Sequence, residues 1–296
     1  KSIIVNAPAL STSGGLTILK QFLSACQARN EHFICFISNN INVEAPSNVR
    51  LIKLSKQNWL KRIYWDSFGL KRFLKKNNFS YHVCISLQNT TVNIDVPQLI
   101  YLHQPLPFSD YDWSFFNSKE RIFFLYKRFY SFFIFMHLQK STKFVVQTNW
   151  MKRALIEKFN VKNEIFVVKP NMYKLDTSDF VDKLDSEFWL FYPATPLIYK
   201  NHSVLIKALR LFINNNSNLK IKLLFTFLED DCPELKKLIS EHQLQGNVSF
   251  LGVLSPSLMV AYYKSSDLVL FPSYIETFGL PLAESAQLSK FIISSD

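Results

Sequence analysis

Glycine is scarce in this sequence, 6 of 296 residues, against a usual share near 7%. A residue used so sparingly marks places where the backbone needs it. The dinucleotide pattern G-x-G-x-x-G is absent, and no acidic residue ends the second strand, so a nicotinamide-binding reading is weak. Four cysteines, Cys26, Cys35, Cys84 and Cys232, lie far apart without a C-x2-C pair. Neither a zinc site nor a disulfide framework is indicated, and a reducing cytoplasm fits. Long apolar runs are missing too: the uncharged stretch Phe129–Leu138 falls far short of the roughly 20 residues that cross a bilayer. The chain opens on Lys1 and a strand pattern, without the regions of a signal peptide, and reads as trimmed at its start.

What is present is apolar and basic. Hydrophobic residues make up 48% and charged ones 19%, with 28 Phe, 12 Tyr and 5 Trp, a composition that excludes a disordered chain. The length predicts two domains or one large one. Lysine and arginine exceed the acids by 34 − 23 = 11, which points to anionic company: phosphate, nucleic acid or a lipid surface. Nucleic acid is the least favoured, because the charge is dispersed and no binding motif accompanies it.

Short β-branched runs alternate with amphipathic stretches, the pattern of βα units in a parallel sheet. Strands are predicted near Ile3–Asn6, Phe33–Ile37, Val49–Leu54, Val83–Ser86, Gln98–Leu102, Phe144–Gln147 and Ile165–Val168. A polar stretch, Asn171–Ser186, interrupts the pattern, and a second series begins at Phe188–Tyr192. Two Rossmann-like domains, 1–170 and 171–296, follow from this, with a ligand expected in the crevice at the carboxyl ends of their sheets. The segment Glu120–Lys143 joins aromatic bulk to Lys127 and Arg128. It reads first as a core helix of the first domain, with an interfacial helix resting on anionic lipid as the alternative.

Several constellations carry chemistry. After the apolar run Leu268–Phe271, Gly279 falls in a strand-to-helix turn and Pro281 in the first helical turn. A glycine there lets a ligand approach the backbone, and the N–H groups of a helix start attract anions. Glu276 and Glu284 flank the turn; carboxylates accept hydrogen bonds from paired sugar hydroxyls, so acids beside an anion pocket suggest a phosphorylated sugar or nucleotide. The same feature also fits a helix start made acidic to match its dipole. Lys200, at the head of the same domain's first helix, opposes the dipole unless it reaches an anion, where it could neutralise a departing diphosphate; a solvated lysine is the plain alternative. In the first domain Gly14-Gly15 falls between the first strand and the first helix, a close-approach point or a simple turn. His103 ends the strand Gln98–Leu102 and should stand at the sheet's carboxyl edge. Asp110-Tyr111-Asp112 has the D-x-D form that holds metal diphosphates, but it sits in a loop rather than at a strand end and is discounted.

Taken in order, these residues resemble the GT-B glycosyltransferases of family 4. Glu276 and Glu284, with Phe278-Gly279-Leu280-Pro281 between them, match the E-x7-E signature of its retaining members. Gly14-Gly15, Val146-Gln147-Thr148-Asn149, Val167-Val168-Lys169-Pro170-Asn171, Lys200-Asn201-His202 and Phe250-Leu251-Gly252 support it. The resemblance implies two Rossmann-like domains facing each other across a cleft, a UDP- or GDP-sugar donor held by the second and an acceptor by the first. It implies that Glu284 holds ribose hydroxyls, Glu276 sugar hydroxyls and Lys200 the diphosphate. The resemblance further implies that the backbone of Phe278, Gly279 and Leu280 meets sugar and phosphate and that His103 and Gly14-Gly15 face the reacting sugar. No metal or cofactor is implied. The sequence departs from the family at Thr195, where an arginine is usual, and at Met172, where a glycine is usual. It stops at Asp296, so the second domain is expected to be incomplete.

The function read from this is sugar transfer from a nucleotide-diphosphate sugar to a glycan or lipid-linked acceptor in cell-surface polysaccharide synthesis, at the cytoplasmic face of a membrane with peripheral contact. A GT-B epimerase, which needs no acceptor, and a non-catalytic nucleotide-sugar-binding relic are the rivals.

Overall fold

A computed structural model describes residues 1–11, 13–55, 58–171, 175, 179–216 and 218–295. The chain divides into two compact units, Lys1–Lys169 and Pro170–Asp296. The α/β class expected from the alternating pattern is what forms, and every strand pairing is parallel.

In the first unit β1 (Ser2–Asn6), β2 (Phe33–Ser38), β3 (Val49–Leu54), β4 (Tyr81–Ser86), β5 (Gln98–Leu102), β6 (Lys143–Val146) and β7 (Ile165–Val167) lie in the order β3-β2-β1-β4-β5-β6-β7. The order reverses between β1 and β4, whose carboxyl ends carry the loops that follow Asn6 and Ser86. Helices α1 (Ser13–Cys26), α2 (Trp59–Tyr64), α3 (Leu70–Lys76), α4 (Arg121–Phe135) and α5 (Asn149–Phe159) connect the strands. Asn58 caps α2 by accepting the Lys61 N–H at 2.9 Å. Asn160 ends α5 in the left-handed region at φ 49°.

The run Trp59–Lys76 reads from sequence as one helix. It is instead broken by a π-helical turn, Trp65–Gly69, between α2 and α3. Trp65, Asp66 and Ser67 in this wider turn are all buried.

The second unit orders β8 (Glu187–Tyr192), β9 (Lys220–Phe225), β10 (Val248–Phe250), β11 (Leu268–Phe271) and β12 (Phe291–Ser294) as β10-β9-β8-β11-β12. Helices α6 (His202–Asn215), α7 (Pro233–Glu241), α8 (Pro256–Ser265) and α9 (Leu280–Gln287) alternate with them. Side chains of β8 alternate between two layers: Trp189 and Phe191 pack with Leu224, Tyr263 and Val269, and Tyr192 packs with Ile206, Leu223 and Phe271. Each such side chain, fully buried, contributes about 1.5–3 kcal/mol. The sheet is thereby held from both faces, and its reversal point falls between β8 and β11. Among the described residues no helix is long and apolar enough to cross a membrane.

Candidate functional site

β8 and β11 are hydrogen-bonded neighbours although some 80 residues separate them, Leu190 pairing with Leu268. The loops leaving their carboxyl ends, after Tyr192 and after Phe271, are therefore brought side by side. Three links close them together. The backbone N–H of Tyr274 donates to the Tyr199 carbonyl at 2.8 Å. The buried Tyr192 hydroxyl donates to the Lys200 carbonyl at 2.8 Å and meets Ser273 Oγ at 3.0 Å. Lys200 Nζ forms an ion pair with Glu276 Oε1, both side chains being mostly withdrawn from solvent. Lys200 precedes α6 in a short 3₁₀ turn, Ile198–Lys200, and Asn201 makes the bend at φ 55°, a conformation asparagine tolerates better than most residues.

His202, first residue of α6, is buried, its ring 4.7 Å from that of Tyr192, 5.2 Å from Phe225 and 5.1 Å from Phe227. Its Nε2 has no hydrogen-bond partner. Burial among these rings pushes its pKa down to about 3, with the Lys200 charge adding to the effect. A neutral ring that packs beneath the lysine turn is thus the role the geometry gives it.

Glu284 lies on α9, one turn into the helix that follows the Glu276 loop. The Tyr263 hydroxyl donates to its Oε2 at 2.8 Å, fixing the carboxylate's rotamer, and burial raises its pKa. Gly279 caps α9 at φ 74°, where a Cβ would lie 3.2 Å from Leu282 Cδ1 and 3.4 Å from Phe271 Cζ. Conformation and space both call for glycine there. Phe278 is half-buried beside it and Leu280 begins the helix.

In the first unit His103 follows β5. Its Nε2 lies 3.0 Å from the Leu87 carbonyl and 3.2 Å from Asn89 Nδ2. Asn89 Oδ1 accepts the backbone N–H groups of His103 at 2.6 Å and Gln104 at 3.1 Å. Desolvation lowers the His103 pKa to about 4, so the imidazole is neutral near pH 7. Gly14 and Gly15 require a correction: they do not form the turn before α1 but lie inside its first turn. Gly14 is exposed with open space at its Cβ position, and a Cβ on Gly15 would meet Leu10 Cδ2 at 3.2 Å, so close packing on Leu10 accounts for one of them.

A polar network beneath these loops was not anticipated. Asp66, buried on the π turn, accepts hydrogen bonds from Asn6 Nδ2 at 2.9 Å, Gln88 Nε2 at 2.8 Å and Thr90 Oγ1 at 2.8 Å. Gln88 Oε1 accepts the Ala9 N–H at 3.2 Å, and Arg62 donates to the Gln88 carbonyl at 2.6 Å and to Tyr130 at 2.8 Å. Burial raises the Asp66 pKa to about 6, partly opposed by Arg62. The two acids of the D-x-D sequence are engaged by lysines, Asp110 by Lys158 and Asp112 by Lys127. Among the described residues no group of three or more His, Cys, Asp or Glu is placed to hold a metal. Thr195 is exposed in the lysine loop; Met172 lies outside the described residues.

Residues 177–296 match the family model described as Glycosyl transferases group 1. Over 173 residues, 58% of this chain, the sequence is 24% identical to the O-antigen chain mannosyltransferase RfbU of Salmonella typhimurium, covering 47% of it. The chain thus spans about half the length of that curated relative. WaaG, a glycosyltransferase involved in lipopolysaccharide biosynthesis, superposes with a TM-score of 0.74 at 14% identity, over 99% of this chain and 80% of that one. HepE of Anabaena, in complex with UDP and glucose, gives 0.66 at 13% identity with the same coverage. The chain has the GT-B fold of glycosyltransferases, and its second unit matches glycosyl transferases group 1.

Proposed function

We propose that this chain belongs to a retaining glycosyltransferase of family 4 that moves a sugar from a UDP- or GDP-sugar to a glycan or lipid-linked acceptor during cell-surface polysaccharide synthesis. The observation that carries the reading is the meeting of Lys200 and Glu276 at the reversal point of the second sheet, where a doubly wound sheet binds ligands. The O-antigen and lipopolysaccharide enzymes among its relatives support the setting.

On this reading donor binding exchanges partners. The diphosphate takes Lys200, and Glu276, released, accepts hydrogen bonds from the sugar's hydroxyls. Glu284, held by Tyr263, accepts those of the ribose. The missing Cβ of Gly279 lets the diphosphate and sugar approach the backbone of Phe278 and Leu280, and the start of α9 adds its dipole. As the glycosidic bond to phosphate breaks, negative charge grows on the leaving diphosphate, and a fixed cation there stabilises it without a metal. The neutral His103 and the Gly14-Gly15 turn of α1 serve the acceptor side. The protein works at the cytoplasmic face of a membrane.

Calorimetry with UDP and GDP, paired with donor turnover in the presence and absence of a saccharide acceptor, tests this. One nucleotide should bind, with acceptor-dependent release of it from the matching sugar donor. Binding without turnover, or turnover that converts the sugar with no acceptor, would overturn it.

A further inference from the structure

The sequence offers the α4 segment either as a core helix or as a lipid-facing one, and in the structure it has one buried side and one exposed apolar side. Tyr130 and Ile134 are buried, while Ile122, Leu125, Phe129 and Phe132, spaced three or four apart, remain 36–64% exposed. A second stripe runs along α2, the π turn and α3. Leu60, Tyr64 and Phe68 follow at four-residue intervals and are 53–73% exposed, and the same spacing continues into the exposed Arg72 and Lys76. The stripes adjoin at Trp59, whose ring packs edge-on at 4.5 Å against Phe133, itself 5.3 Å from Phe132. Beside the second stripe a groove of about 690 Å³ is lined by Tyr64, Phe68 and the cations Lys71, Arg72, Lys75 and Lys76.

The charge of this face selects its partner. The span Trp59–Lys76 holds one carboxylate, the buried Asp66, and Arg121–Phe135 holds none. Lys71 is paired with Asp95 at 2.8 Å, and Arg72, Lys75, Lys76, Lys61 and Arg128 are exposed around the rings. A second copy would bring cations against cations. A surface that is apolar inside and anionic outside fits both halves of the pattern.

We propose that this two-helix face docks on an anionic phospholipid bilayer, its aromatic stripes entering the boundary between headgroups and acyl chains while the groove cations hold lipid phosphates. The inference deepens the membrane setting of the reading above. It lies wholly within the first unit, whereas the donor reading rests on the second, so the two can fail separately.

Co-sedimentation with vesicles of phosphatidylcholine, alone or with one third phosphatidylglycerol, tests it, with UDP and GDP calorimetry run in parallel. The protein should bind the mixed vesicles, and brominated acyl chains should quench its tryptophan fluorescence, less so in W59F. Neutralising two cations (R72Q with K75Q) should weaken binding roughly 30-fold and flatten its salt dependence. F68S with F132S should abolish quenching and insertion, with nucleotide binding unchanged in both variants. Equal binding to neutral vesicles, inorganic phosphate displacing the protein completely, or light scattering showing a dimer that F68S with F132S dissolves in the absence of lipid binding would each overturn it.

Discussion

Lys200 is the residue on which the proposed donor chemistry turns, and its surroundings predict how its loss should look. The ammonium is compensated by Glu276 and its backbone is held independently by Tyr192. Removing the side chain leaves the backbone turn anchored but strands the Glu276 carboxylate without its cation, at some cost in stability. K200A should lower turnover by about 10²–10³-fold, the usual cost of a lost transition-state contact, in a protein that still folds but melts at a lower temperature; steady-state kinetics and a melting scan check both. His202 behaves differently. With its folded pKa pushed down to about 3, below the ordinary histidine value, its neutral ring supports the fold fully above pH 6.5 and progressively less as pH falls toward 3. Near pH 4.5 that amounts to about 3 kcal/mol. H202F keeps the contacts with Tyr192, Phe225 and Phe227 and should remove this acid sensitivity, as urea unfolding at pH 7 and pH 4.5 would show.

Among the elements, the entry to α9 is the most tightly specified. G279A places a side chain at φ 74° and within 3.2 Å of Leu282, and should cost about 1–2 kcal/mol of stability and weaken nucleotide binding in the same calorimetric assay. The π turn makes a different prediction, through Asp66. Its folded pKa, raised to about 6, exceeds the unfolded value, so its contribution is complete below about pH 4 and is lost as pH rises through 6, by about 3 kcal/mol. D66N should flatten the stability profile across that window; a profile parallel to that of the parent protein would show that Asp66 does not titrate there. These two elements were unequally legible. Gly279 and Pro281 announce their turn in the sequence. Asp66 sits in an apparently continuous helix where an acid reads as solvent-facing, and its partners come from elsewhere in the chain, Asn6 from the end of β1 and Gln88 and Thr90 from the loop after β4. Gly14 and Gly15 misled for a related reason: glycine pairs are expected before a helix, not in its first turn.

For the whole molecule, the strand pattern was readable because the central strands, such as β1 and β2, are short apolar runs that are mostly buried. What pattern could not supply was neighbourhood. That β8 lies against β11 follows from crossover topology, and only that adjacency turns Lys200 and Glu276 from two suggestive residues into a pair. Tyr192 and Tyr263, which fix the lysine turn and Glu284, are invisible for the same reason, since buried tyrosines look alike until their hydroxyls find partners. If the donor binds as proposed, hydrogen exchange with and without nucleotide should slow in residues 193–202 and 272–284, while the sheet core of the first unit, around Ile4, Cys84 and Ile100, stays unchanged.

The single wide turn at Trp65–Gly69 also works as a phase adjuster. Upstream of it Tyr64 looks outward; downstream, Leu70 and Leu74 are completely enclosed. Excising one residue from the turn would rotate everything beyond it by about 100°, swinging those two leucines out of the interior and the Arg72–Lys76 cations away from the aromatic line. One surplus residue thus keeps the oily and charged edges of this segment collinear while its interior side stays packed.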